Sequence, residues 1–133
     1  MDKAQIETCL LALESYLEEF YNIDVIYENG IENAYYPEDD MIIISTKQTK
    51  EMRLYSLLHE VGHVVSRPDN VVVQEVNKKR FTWDEKVGIL KEEYRAWDEG
   101  KKLAAEMCLG IDRERYDKLA TKCLKDYILW ASK

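Results

Sequence analysis

The sequence predicts an α+β fold in a single domain, and three observations carry that prediction. The N-terminal stretch repeats apolar residues in steps of three and four, the mark of an amphipathic helix. The next segment switches to short β-branched and aromatic runs separated by turn residues. From there to the C-terminus the helical spacing returns three times. A chain of 133 residues can bury a core without help from a disulfide or a metal.

The first helix is expected over about Ala4 to Phe20, with Ile6, Leu10, Leu13, Leu17 and Phe20 on its apolar stripe. "DVIYE" (Asp24 to Glu28) reads as a strand. Asn29-Gly30 is a hairpin signal, because both residues tolerate positive φ, and "IENAYY" is the expected return strand. "PEDD" is turn chemistry, and "MIIIS" (Met41 to Ser45) is a compact β-branched strand. The expectation is a small antiparallel sheet of about three strands. A second helix should run from about Thr49 to Val65 and stop at Arg67-Pro68-Asp69-Asn70, since a residue before proline disfavours the helical region. "NVVVQEV" fits either a short strand or a loop. Thr82 and Glu85 form a T-x-x-E capping box, opening a long helix to about Cys108, with Gly110 as its stop. The last helix, about Asp112 to Ser132, carries Tyr116, Leu119, Cys123, Tyr127 and Trp130 on one stripe.

Composition excludes several function classes. A net charge of −7 argues against a nucleic-acid surface, and the short basic stretch "NKKRF" reads as a solvated loop. No apolar run approaches the length of a membrane span. The acidic, amphipathic N-terminus is unlike a signal peptide, so a cytoplasmic location is expected. Cys9, Cys108 and Cys123 are odd in number and lack a C-x-x-C spacing; buried, reduced thiols are expected rather than disulfides or a cysteine zinc site.

The chemistry concentrates in "YSLLHEVGHVVS", which holds both histidines of the chain. His59, Glu60 and His63 match H-E-x-x-H. On a helix, residues four apart lie about 40° apart around the axis and one turn along it. Both imidazoles can therefore reach one zinc ion, with nitrogens about 2.0–2.1 Å from it. Glu60 projects beside that face and can take a proton from metal-bound water, whose pKa zinc lowers to roughly 7. Two core histidines matching the pattern by chance is the alternative. Two imidazoles and a carboxylate inside an apolar helix are costly unless satisfied, which weighs against it. Gly62 would let another backbone or a substrate come close.

A catalytic zinc site needs a third protein ligand and an open fourth position. With no third histidine, that ligand must be Asp or Glu. "GILKEEYRAWDEGKKLA" offers two adjacent glutamates, which helical phase separates. Glu93 is centred between Ile89 and Leu90 on one side and Ala96 and Trp97 on the other, whereas Glu92 shares its stripe with Arg95 and Glu99. Glu93 is the expected ligand and Glu92 the fallback. Ala96, Gly100 and Ala104 would permit the close helix approach that a shared metal requires. Two imidazoles and a carboxylate suit zinc first and other transition metals second.

HEVGH on one helix, then "EYRAW" and "KLA" on the next, resembles the small gluzincin-type metallopeptidases of phages and mobile elements, nearest the ImmA/IrrE family. The resemblance covers roughly Asp24 to Met107, and Trp97 stands where that family has Asn or Asp. It implies a zincin-like fold and a zinc endopeptidase in which His59, His63 and Glu93 hold one zinc ion and Glu60 is the general base. It also implies a specific protein or peptide substrate, often a regulatory protein. Such sites usually add a side chain that stabilises the tetrahedral intermediate, for which Tyr94, Arg95, Tyr116 and Tyr127 are candidates. "MIIIS" is a candidate to pair with an extended substrate, the other possibility being an interior strand of the sheet. The rival reading is a non-catalytic, zinc-containing module that binds protein, which a site closed by a fourth protein ligand would favour.

Overall fold

A computed structural model describes residues 1–66 and 80–133. The elements follow in the order α1 (Lys3–Tyr21), β1 (Asp24–Glu28), β2 (Ala34–Tyr36), a 3-10 turn at Pro37–Asp39, β3 (Met41–Ser45), α2 (Lys50–Ser66), α3 (Trp83–Glu106) and α4 (Arg113–Ala131). The described residues thus form an α+β arrangement of four helices and one small sheet. The expected stop at Arg67–Asn70, the segment Asn70–Val76 and most of the basic stretch Asn77–Phe81 lie outside the described residues.

The sheet is mixed, where an antiparallel one was expected. Its strand order is β1-β3-β2, with β1 parallel to β3 and β2 antiparallel to it. Asn29-Gly30 therefore does not close a hairpin between β1 and β2. The chain turns there, with Gly30 at φ +82°, and carries β2 to the far edge of β3. Asn33 fixes the end of that crossing: its Oδ1 accepts from Ser45 N at 2.8 Å and from Gln48 Nε2 at 2.9 Å. The physical reason lies in β3. Ile42, Ile43 and Ile44 are all buried, so this strand needs cover on both faces and both edges. "MIIIS" is consequently the interior strand, with no free edge for a substrate.

Helix ends follow local chemistry. Asp2 with Gln5 and Thr82 with Glu85 form capping boxes at α1 and α3. Asp112 caps α4 through Arg115 N. The stop of α3 comes earlier than Gly110: Cys108 itself takes φ +55°, Leu109 N donates to Ala104 O, and Cys108 N donates to Ala105 O. That is a Schellman arrangement with cysteine where glycine is usual.

The core joins α1 (Leu13, Leu17), β3 (Ile42, Ile44) and α2 (Leu54, Leu57, Leu58, Val61), and α3 closes it through Trp97 and Leu103. Helices α2 and α3 touch at backbone level. A Cβ on Gly62 would stand 1.8 Å from the carbonyl oxygen of Ala96, and one on Gly100 would stand 2.5 Å from that of Leu58. No described helix is long and apolar enough to cross a membrane. Of the cysteines, Cys9 is buried and its thiol donates to Leu109 O, Cys123 is half-buried, and Cys108 is exposed, contrary to the expectation of three buried thiols.

Candidate metal centre

Helix α2 runs from the sheet with His59, Glu60 and His63 on its third and fourth turns. The backbone contact at Gly62 and Gly100 brings α3 so near that Glu93 reaches the two imidazoles. Three groups converge. His59 Nε2 lies 3.2 Å from His63 Nε2 and 3.0 Å from Glu93 Oε2, and His63 Nε2 lies 3.2 Å from Glu93 Oε1. A tetrahedral ion with arms of 2.0–2.1 Å separates its ligand atoms by about 3.3 Å, so these spacings match the edges of one zinc site.

Glu60 stands farther off, its carboxylate 3.9 Å from His59 Nε2. The ligand atoms of His59, Glu60 and His63 all lie within 4.8 Å of one another and could by themselves hold a metal ion. The nearer carboxylate of Glu93 suits a ligand better, and the farther one of Glu60 suits a base.

The polar accounting also favours a cation. Glu93 is buried, and its Oε2 has no hydrogen-bond partner despite lying 3.0 Å from His59 Nε2. An unsatisfied buried carboxylate oxygen is expensive, and a metal at the shared point would satisfy it.

Charge is distributed unevenly around this point. Burial is the largest influence on Glu93 and would raise its pKa, but the close approach and charge of His59 and His63 overcome it and hold the carboxyl down at about 2. Burial would lower His63, yet the hydrogen bonds it donates to Glu92 and Glu93 and the charge of Glu60 push it up to about 10. Burial raises Glu60, only partly offset by the two histidines, while Glu93 pushes it further the same way. A carboxylate made more basic than usual is what a general base at neutral pH requires.

Glu92, the fallback ligand, faces the other nitrogen of the same ring: its Oε1 lies 3.2 Å from His63 Nδ1. It orients His63 and does not reach the shared point. Sequence reasoning missed this role, although a second glutamate adjacent to the ligand was its signal. It also missed Trp97, whose ring stacks on His59 with centroids 4.1 Å apart and 22° between planes.

The four candidates for stabilising the intermediate separate cleanly. Tyr94, 64% exposed, and Arg95 lie on the outer face of α3, because helical phase turns both away from the buried side that Glu93 occupies. Tyr116 is buried and its hydroxyl is committed to the carbonyl of Trp97 at 2.6 Å. Tyr127 of α4 is the one that lines the cleft beside Glu93 and Glu60. Burial, the charge of Glu93, a hydrogen bond to that carboxylate and the charge of Glu60 keep its phenol protonated.

That cleft, about 600 Å³, is lined by Asn33, Gln48, Trp97, Cys123 and Tyr127 together with His59, Glu60 and Glu93. Comparison with protein families, curated proteins and solved structures finds no match to this chain.

Proposed function

We infer that this chain is a zinc-dependent endopeptidase acting on a specific intracellular protein, built on a zincin-like plan similar to that of the ImmA/IrrE family. The observation that carries the reading is the approach of His59 Nε2 to His63 Nε2 at 3.2 Å, and of these two nitrogens to Glu93 Oε2 at 3.0 Å and Oε1 at 3.2 Å respectively, with Glu60 3.9 Å from His59 Nε2. When bound, zinc supplies Lewis acidity and an acidified water. The rest of the chemistry belongs to the chain's own side chains. Glu60, made basic by burial, receives a proton at its carboxylate and returns it to the departing amine. Glu93 and the two imidazoles stay fixed throughout, His63 through Glu92. Tyr127 lines the cleft with its hydroxyl hydrogen-bonded to Glu93, and would have to turn from that carboxylate to donate to negative charge developing in the cleft.

An extended substrate has one edge to use on this side of the sheet. Among the described residues strand β2 pairs with β3 alone, and the backbone N–H of Tyr35 lies close enough to act on Glu60. The outer edge of β2 replaces β3 as the strand that would receive a peptide.

The cleft opening at His59, Glu60 and Glu93 supports a site with a vacant corner and thus favours the enzyme over a closed, non-catalytic zinc module. The test is co-expression with candidate protein partners, comparing wild type with Glu60→Gln by mass spectrometry. Wild type should release defined fragments. Glu60→Gln should retain one zinc ion and cleave at least about a hundredfold more slowly, in line with the usual size of general-base contributions. Cleavage by Glu60→Gln at the wild-type rate would remove Glu60 from its assigned role.

A further inference from the structure

The two histidines are held by different devices. His63 Nδ1 faces the carboxylate of Glu92 at 3.2 Å. His59 Nδ1 is buried and has no hydrogen-bond partner. What His59 has instead is a flat surface: the Trp97 indole, nearly parallel to its ring at 4.1 Å. The indole of Trp97 is held by packing, since its Nε1 is buried without a hydrogen-bond partner. The Trp97 carbonyl accepts from the Tyr116 hydroxyl at 2.6 Å, and the Tyr116 ring stands edge-on to the indole at 5.4 Å and 71°. Tyr116 in turn meets Tyr55 edge-on at 5.7 Å, and the Tyr55 hydroxyl donates to Glu51 at 2.8 Å. An aromatic column thus runs from Glu51, ion-paired with Arg115, to the ring of His59.

We propose that Trp97 is the positioning residue for His59, its indole face fixing the imidazole plane so that Nε2 points at the metal. It does for this ligand what Glu92 does for His63, by stacking rather than by hydrogen bonding. The proposal rests on the metal reading above. A metal ligand whose ring is free to rotate spends part of its time facing elsewhere, so removing the flat face should weaken metal affinity while the donor atoms remain.

The experiment measures zinc affinity by competition with a chelator, using the full metal-free chain as wild type, Trp97→Phe and Trp97→Leu. Thermal unfolding of each metal-free variant establishes that it is folded. Trp97→Leu, which removes the flat ring, should weaken zinc binding by about tenfold or more, the usual effect of losing a group that orients a ligand. Trp97→Phe, which keeps a ring, should stay within about threefold of wild type. Equal affinity for wild type and Trp97→Leu overturns the proposal, and so does Trp97→Phe binding as weakly as Trp97→Leu. If Trp97→Leu does not fold, Trp97→Met takes its place under the same two readings, its flexible chain filling the space without a face. If neither folds, proton NMR of the zinc-loaded wild type decides. Ring protons of His59 shifted upfield of those of His63 support the stack, and unshifted ones overturn it. A wild type that takes up no zinc brings down the metal reading and this proposal together, an outcome distinct from loss of the Trp97 effect alone.

Discussion

In the proposed metal site His63 is more than a waiting ligand. It sits between Glu92 and Glu93, and the two carboxylates hold its pKa up at about 10. A metal ligand must be the neutral imidazole, so an ion has to displace that proton. Zinc uptake is therefore predicted to expel about one proton from His63 near neutrality, and affinity should rise about tenfold per pH unit between about pH 7 and 8.5. Calorimetry in buffers of different ionisation heat reads this directly; a flat affinity across that window would mean that His63 is already neutral. At this scale much was legible in advance. The spacing of His59, Glu60 and His63 and the helical phase of Glu93 are local properties of the chain. The partner of His63 Nδ1 and the stack under His59 are not. Both depend on how far α3 slides along α2, a quantity that no single helix encodes.

The α2–α3 contact converts sequence into a site. Gly62 lies between the two α2 histidines and its Cα faces the backbone of Ala96, three residues beyond Glu93. Gly62→Ala would place a Cβ 1.8 Å from the Ala96 carbonyl oxygen, and a backbone atom cannot yield as a flexible side chain can. The helices must separate. The predicted loss is about 1–3 kcal/mol of stability, typical of overpacking, together with weaker zinc binding as Glu93 withdraws. Chemical denaturation and zinc competition on the same variant measure the two effects. Wild-type zinc affinity in Gly62→Ala would show that the close approach is not what delivers Glu93. The small residues on α3 were readable as a packing stripe. The sheet was less legible. Asn29-Gly30 has the composition of a tight hairpin, but the run of three isoleucines in β3 demands neighbours on both edges, and that tertiary requirement overrides the local turn signal.

For the molecule as a whole, the buried cluster links stability to pH. His63 has a raised pKa, so its contribution is complete below its unfolded value near 6.5 and is lost as pH rises through about 10. Glu93 has a lowered pKa, so its contribution is present above its unfolded value near 4.5 and is lost as pH falls through about 2. Glu60, raised by burial, adds a preference in the same direction as His63. The metal-free chain should therefore unfold at a lower temperature at about pH 10 than at about pH 6.5, and His63→Gln should show a smaller difference. On the proposed reading, zinc binds only the folded state and should raise the unfolding temperature in proportion to the logarithm of its concentration. An unfolding temperature that is unchanged between those two pH values would remove the charged cluster from the balance.

The central claim is that His59, His63 and Glu93 hold one zinc ion with a corner left open. Zinc-edge X-ray absorption on the full chain, produced without a histidine tag, addresses it most directly. The expected result is one zinc per chain with two imidazole nitrogens and only nitrogen or oxygen neighbours, at about 2.0–2.1 Å. A chain that takes up no zinc, or a sulfur neighbour at about 2.3 Å marking a cysteine that closes the site, would contradict it.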